Sequence, residues 1–212
     1  NGDKLSSLIR GEKDTEVVIS VQRGEEELDF TIVRGVVELP SVHSEIFEDT
    51  IGYIQIDSFA SNTYNQFKKA LNKLEKKSIT SLIIDVRDNP GGHLLQTKQI
   101  LSLFFPKKTV LYQVETKNTK QKAYSDSKES RSYPIVVLIN GSSASASEIL
   151  ASCFQDNYKN AFLVGKQSYG KGTVQKSQTL KNGTSIKYTT QKWLTSKGVW
   201  FDGTGLIPDV EV

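Results

Sequence analysis

One segment, residues 134–175, constrains the fold more than any other. The apolar run Ile135–Ile139 is followed by Asn140-Gly141 and then by the small residues Ser142, Ser143, Ala144, Ser145, Ala146 and Ser147. A short apolar run closed by a tight turn reads as a buried strand, and the small residues after it open a helix. This is the order in which α/β proteins present a side chain at a helix N-terminus. Farther along, Lys171 stands between glycines in Tyr169-Gly170-Lys171-Gly172. Glycine lets the backbone turn sharply there, so a long amine can be aimed inward.

Serine and lysine in this setting point to hydrolytic chemistry. A serine hydroxyl attacks a carbonyl only when a neighbouring base takes its proton, and lysine is such a base only when neutral. With an ordinary pKa near 10.4, about one free lysine in a few thousand is neutral at pH 7. Desolvation disfavours the ammonium, so surroundings that are dry around Lys171 are expected. The unpaired N–H groups of the helix start would favour a developing oxyanion. Ser142, Ser143, Ser145 and Ser147 all remain open as the nucleophile on these grounds. Each half also has a plain structural reading. Ser145-Ala146-Ser147-Glu148 is a capping box, and Gly-Lys-Gly alone is a turn with a solvated lysine. Their coincidence in one segment after a strand favours chemistry. His93, directly after Gly92, offers a competing Ser-His pair of the esterase type, though without a matched acid. Cys153 lies among Ile149, Leu150 and Phe154 and reads as a small core residue; as a single cysteine it forms no intramolecular disulfide.

Four ordered motifs carry a resemblance that spans nearly the whole chain. SASASEILA at 143–151 and SYGKGTVQ at 168–175 resemble the signature of the C-terminal processing peptidases, or tail-specific proteases, a family of Ser-Lys serine peptidases. LIIDVRDNPGG at 82–92 is similar to that family's strand and R-x-N-x-G-G loop, and GLIPDV at 205–210 to its closing motif. The resemblance implies Ser145 as nucleophile, Lys171 as general base and Gln175 as the residue that holds the amine toward the serine. It implies the backbone N–H groups of Ala146 and Gly92 as the oxyanion hole, and Asp156 as a supporting acid. Ser145 and Lys171 are 26 positions apart, one more than the resemblance leads one to expect; the extra residue is assigned to the loop 157–160. The implied activity is endopeptidase cleavage of proteins near free C-termini through an acyl-enzyme, with no cofactor and no metal. A non-cleaving or autoinhibited peptide-binding form of the same fold is the alternative, and a Ser-His esterase the second.

The remaining chain supplies the frame. Hydrophobic content of 37%, charged content of 24% and a net charge of +3 are ordinary for a globular protein and give no reason to invoke nucleic acid. No run reaches the length of a membrane span. The chain starts at Asn1 without a methionine, so a membrane anchor upstream is allowed for, as is a homo-oligomer. Extracytoplasmic, cell-envelope localisation is implied by the resemblance alone. Residues 1–35 read as a helix over Asp3–Ile9 and strands over Val17–Val21 and Leu28–Val33, and the resemblance makes them the C-terminal part of a truncated PDZ-like module. Without the part that receives a peptide carboxylate, such a module should bind tails poorly.

Residues 36–212 are expected to form the peptidase core. Residues 35–50 read as a polar connector. Strands are predicted at Ile51–Ile56 and Ser81–Val86, and Tyr64, Phe67, Leu71 and Leu74 stripe a helix whose lysines face solvent. Leu94, Thr97, Leu101 and Phe104 stripe another. Residues 106–133 read as a polar surface segment, either a flap or an inert insertion. Phe162–Val164 reads as a strand, and 172–180 and 185–190 as a hairpin around Lys181-Asn182-Gly183. Trp193 and Trp200 read as core or subsite walls. The fold class is mixed α/β, which the resemblance sharpens to a crotonase-like or Clp-protease-like spiral core.

Overall fold

The computed structural model describes residues 2–36, 39–128, 130–180 and 183–212, with residues 2–4 as backbone alone. The chain forms two units, Asn1–Leu39 and Pro40–Val212. In the first, α1 (Gly2–Ile9) precedes an antiparallel pair, β1 (Glu16–Arg23) and β2 (Glu26–Val33). Arg34 ties the helix end to the hairpin: Nε donates to Ile9 O at 2.7 Å and Nη1 to Glu16 O at 2.8 Å. Phe30, Ile32 and Val33 remain exposed, as do Leu5 and Leu8.

The second unit contains β3 (Val42–Phe47), β4 (Ile51–Ile56), α2 (Thr63–Glu75), β5 (Ser81–Asp85) and α3 (Leu94–Ser102). These are followed by β6 (Val110–Glu115), β7 (Lys120–Tyr124), β8 (Ile135–Ile139), α4 (Ala146–Asn157) and β9 (Ala161–Gly165). The hairpin strands β10 (Thr173–Thr179) and β11 (Ser185–Leu194) and the short β12 (Val210–Glu211) complete it. The main sheet has the order β12-β9-β8-β5-β4-β3, parallel throughout except for the β3–β4 pair. From β4 to β9 the strands add in chain order in one direction. Right-handed crossovers laid down without a reversal put their helices on one face of the sheet.

Packing follows that topology. Alternate residues of the strands are buried, among them Ile54, Ile56, Leu82, Ile84, Val137, Ile139 and Leu163, in one core with Phe67, Leu71, Leu101, Leu150 and Phe154 of the helices. Of the stripe expected on α2, Phe67, Leu71 and Leu74 are buried while Tyr64 is only partly so, and Thr63 is buried beside it. Phe154 is the aromatic centre, with ring centroids 5.1 Å from Phe104, 5.4 Å from Phe105 and 5.6 Å from Tyr158.

Two expectations are corrected here. The connector 35–50 contains β3, and the polar segment 106–133 contains β6 and β7, which join β11 and β10 in a second, four-stranded antiparallel sheet. The misses of β3 and β7 have one cause. β3 and β7 are edge strands that keep much of their surface in solvent and carry polar residues accordingly, so neither shows the apolar run of a buried strand. The expected 172–190 hairpin pairs as β10 with β11; Lys181 and Asn182 of its tip lie outside the described residues.

Candidate active site

Three loops leave the carboxyl ends of neighbouring parallel strands: 86–93 after β5, 140–145 after β8 and 166–172 after β9. Open α/β sheets place ligands at such ends. All three predicted motifs therefore meet at one edge of the main sheet. Asn89, fully buried, joins the first two loops. Its Nδ2 donates to Ile56 O at 2.7 Å and its Oδ1 accepts from Gly91 N at 2.8 Å. Its carbonyl accepts from Ala144 N at 3.0 Å and from Ser147 Oγ at 2.9 Å.

The four candidate serines separate once their partners are seen. Ser143 and Ser147 are fully buried, and their hydroxyls donate to Val86 O at 2.7 Å and to Asn89 O. Ser142 is exposed on the turn, where its N–H donates to the Asn140 side chain at 3.0 Å. Ser145 is half-buried and sits at the helix N-cap with φ 57° and ψ −112°. An ordinary N-cap lies in the β region. A non-glycine residue in this conformation is strained, and such residues cluster at reactive turns.

Gly91 and Gly92 explain the close approach of the other loop. A Cβ on Gly91, whose φ is +100°, would stand 2.7 Å from Ala144 O and 2.9 Å from both Ala146 N and Ser145 Cβ. A Cβ on Gly92 would stand 2.4 Å from Phe59 O. The Gly91 carbonyl accepts from Phe59 N at 2.9 Å, and in a trans peptide the N–H of Gly92 points the opposite way. Among the described residues, neither the Gly92 N–H nor the Ala146 N–H has a hydrogen-bond acceptor. Two free donors flank the serine turn.

Lys171 has a backbone fixed at every neighbouring position. Lys171 N donates to Glu148 Oε2 at 2.9 Å, Gly170 N to Glu148 Oε1 at 2.7 Å and Gly172 N to Asp202 Oδ1 at 2.8 Å. The Gly172 carbonyl accepts from Trp193 N at 2.8 Å and Trp200 Nε1 at 3.1 Å. The amine itself is unconstrained: the Lys171 side chain is exposed, and among the described residues no hydrogen bond joins it to Ser145 or to Gln175. The dry surroundings expected for it are absent. Beside it Gln175, Lys176 and Lys187 are exposed as well, because the β10–β11 hairpin stands out from the core with little packed over it. Gln175 lies at a β-bulge between Val174 and Gln175, a device that re-aims side chains.

Lys171, Gln175, Ala144, Pro90 and Tyr169 line one open cavity of about 670 Å³ with Asp202. Other predicted residues fall elsewhere. Asp156 accepts from Ser196 Oγ at 2.8 Å and pairs with Lys197 at 3.3 Å, holding the turn after β11. His93 is the exposed N-cap of α3, without a hydrogen bond to Ser145 among the described residues. His43 faces Asp57 at 2.9 Å. Cys153 is fully buried, and burial pushes its thiol well above the ordinary range. Among the described residues, no group of three or more His, Cys, Asp and Glu is placed to hold a metal. Sequence reasoning missed Asn89 and Asp202 and took Glu148 for a helix cap alone. The S-x-x-E spacing was the signal for Glu148.

The profile of peptidase family S41 matches residues 50–212. The chain belongs to peptidase family S41. Relatives within reach of this S41 chain include the carboxy-terminal processing proteases CtpA and CtpB of Bacillus subtilis. CtpA is 37% identical over 213 residues, covering 100% of this chain and 46% of the relative; CtpB is 38% identical over 212, covering 96% and 44%. The chain thus spans less than half the length of these relatives. A solved photosystem II D1 C-terminal processing protease superposes with a TM-score of 0.74 at 24% identity, over 99% of this chain and 58% of that one. That likeness places the S41 chain in the same fold.

Proposed function

We propose that the protein is a serine endopeptidase that cleaves protein substrates near their C-termini through a Ser145–Lys171 dyad. The observation that carries this reading is the strained Ser145 turn, set against Gly91 between the free N–H groups of Gly92 and Ala146. Ser145 Oγ attacks the scissile carbonyl while Lys171 Nζ takes its proton and returns it to the leaving amine. The two N–H groups hold the tetrahedral oxyanion. Water then attacks the acyl-enzyme by the same roles. Gln175, from its bulge beside Lys171, steadies the amine. The relatives' names, carboxy-terminal processing proteases, support the choice of substrate end.

A second reading, a resting form of the same enzyme, is favoured by the exposed and unbonded Lys171 side chain. A solvated amine is a poor base at neutral pH, so turnover requires something to exclude water there. A substrate chain lying in the open cavity would do so. In this proposal residues 1–35 are the C-terminal part of a PDZ-like module, and the enzyme works in the cell envelope.

The test is cleavage of an unstructured protein with an apolar C-terminus by the full-length protein, beside Ser145→Ala and Lys171→Ala, over roughly pH 6–10, where a desolvated lysine titrates. Loss in both variants with a basic limb in the wild type supports the dyad. Activity retained in Lys171→Ala removes the assigned base and makes His93 the next candidate. An intact substrate with all three proteins refutes the peptidase reading for the conditions used and favours the peptide-binding form.

A further inference from the structure

Glu148 has no exposed surface and no cation beside it among the described residues, yet its carboxylate receives four hydrogen bonds. Ser168 Oγ and Gly170 N donate to Oε1 at 2.6 and 2.7 Å, and Ser145 N and Lys171 N donate to Oε2 at 2.7 and 2.9 Å. An ionised carboxylate is an acceptor-only group with about four lone-pair sites. All four are filled, and the two on Oε2 come from the backbone of the nucleophile and the backbone of the base.

We propose that Glu148 is a positioning residue for the Ser145–Lys171 pair, its Oε2 acting as the common anchor that sets how far apart the two residues stand. The inference rests on the dyad reading given above. Sharing one oxygen keeps the two amide nitrogens within about 6 Å of each other. It does so across the gap between α4 and the loop after β9, which no covalent link closes. The neighbouring anchors of Lys171 come from Asp202, Trp193, Trp200 and Gly203, and Tyr169 N also ties this loop to the serine turn by donating to Ser143 O at 3.0 Å; among the described residues the Glu148 bonds are the ones that reach Ser145 itself. Side-chain chemistry makes the carboxylate hard to replace. A glutamine keeps an acceptor for only one pair of donors: its NH2 faces either the N–H groups of Ser145 and Lys171 or the N–H of Gly170 with the Ser168 hydroxyl. An aspartate keeps the acceptors but draws them back by one methylene. A displacement near 1 Å costs on the order of 100-fold in rate when reacting groups must meet.

The experiment uses the full-length protein and a fluorophosphonate probe, which reports serine nucleophilicity without a protein substrate, together with kcat and KM on an unstructured protein. Glu148→Gln is compared with wild type, with Ser145→Ala, and with Leu71→Ala, a core variant in α2 away from the site. The expected result is labelling and kcat 10- to 100-fold slower in Glu148→Gln at unchanged far-UV circular dichroism, with KM within about threefold of wild type. Leu71→Ala, corrected for its folded fraction, keeps the wild-type labelling rate. A folded Glu148→Gln that labels at the wild-type rate overturns the proposal, as does an equal slowing in Leu71→Ala, which would make the effect one of general stability. Should Glu148→Gln fail to fold, Glu148→Asp is read by the same criteria. A wild type that neither labels at Ser145 nor cleaves the protein substrate overturns the peptidase reading itself, and this proposal with it.

Discussion

Replacing Gly91 by alanine tests the packing of the first two site loops on each other. The new methyl would meet Ala144 O at 2.7 Å, Ala146 N at 2.9 Å and Ser145 Cβ at 2.9 Å, and two of these are backbone atoms that cannot swing aside. A φ of +100° adds strain of about 1–3 kcal/mol for a residue with a Cβ. Overpacking against fixed atoms adds about 1–3 kcal/mol more. A total near 4 kcal/mol lowers Tm by roughly 12 °C in a unit of this size. Gly203→Ala separates the two contributions, because its φ is +75° with nothing within 4 Å of the added Cβ; strain alone, about 1–2 kcal/mol, should cost roughly 3–6 °C. Both tryptophans, Trp193 and Trp200, lie in the unit being perturbed, so fluorescence melts report it directly. Labelling of Ser145 by a fluorophosphonate should also slow by about 100-fold, the cost of losing one oxyanion donor. Equal melts for Gly91→Ala and Gly203→Ala, with undiminished labelling, would show that Gly91 does not abut the serine turn.

Phe154→Ala removes the ring shared by Phe104, Phe105 and Tyr158 and should cost about 3–5 kcal/mol by urea titration; a loss under about 1 kcal/mol would mean the cluster is not close-packed. Cys153 should not react with a disulfide reagent in the native protein and should react fully in guanidinium, since burial raises its thiol and hides it. Burial alone would raise the Glu75 carboxyl, but hydrogen bonds from Arg131 and Tyr133 outweigh it and hold it below its usual value. A depressed carboxylate lends stability above its unfolded value, about 4.3, and loses it as pH falls through the folded one. The urea-midpoint gap between wild type and Glu75→Gln should therefore narrow from pH 7 to pH 3, and a constant gap would contradict the pairing.

The sequence was legible where local pattern and tertiary role coincide. β4 and β8 match their predicted bounds because each is a short apolar run between turn signals and lies inside the sheet. α2 was readable from its stripe because one face meets the core and the other meets water. β3 and β7 were not, since an edge strand need not show a continuous apolar run, and β6, inside the second sheet, has its apolar run interrupted by the buried Gln113. The site residues were readable as types: glycines where loops approach closely, a serine at a helix start, a lysine between glycines. The solvation of Lys171 was not readable. Burial of an exposed hairpin depends on what packs over it, and nothing in Gly-Lys-Gly encodes that.

Capping and catalysis are alternatives only while Ser-x-x-Glu is considered as a string. A serine at φ 57° cannot serve as an ordinary β-region cap, yet the glutamate still reaches back to its N–H at 2.7 Å. The strain in that turn costs about 1–3 kcal/mol, and a hydrogen bond to a charged group returns about 1.5–3 kcal/mol. The Ser145 bond alone therefore roughly offsets the strain. Burying the carboxylate costs several kcal/mol besides, which one bond cannot cover. Its remaining acceptor sites must be filled, and the groups that fill them come from the loop bearing Lys171. The energetics of a buried helix cap thus draw the lysine loop to the serine turn, and the same carboxylate that makes the strained turn tolerable fixes where the base stands.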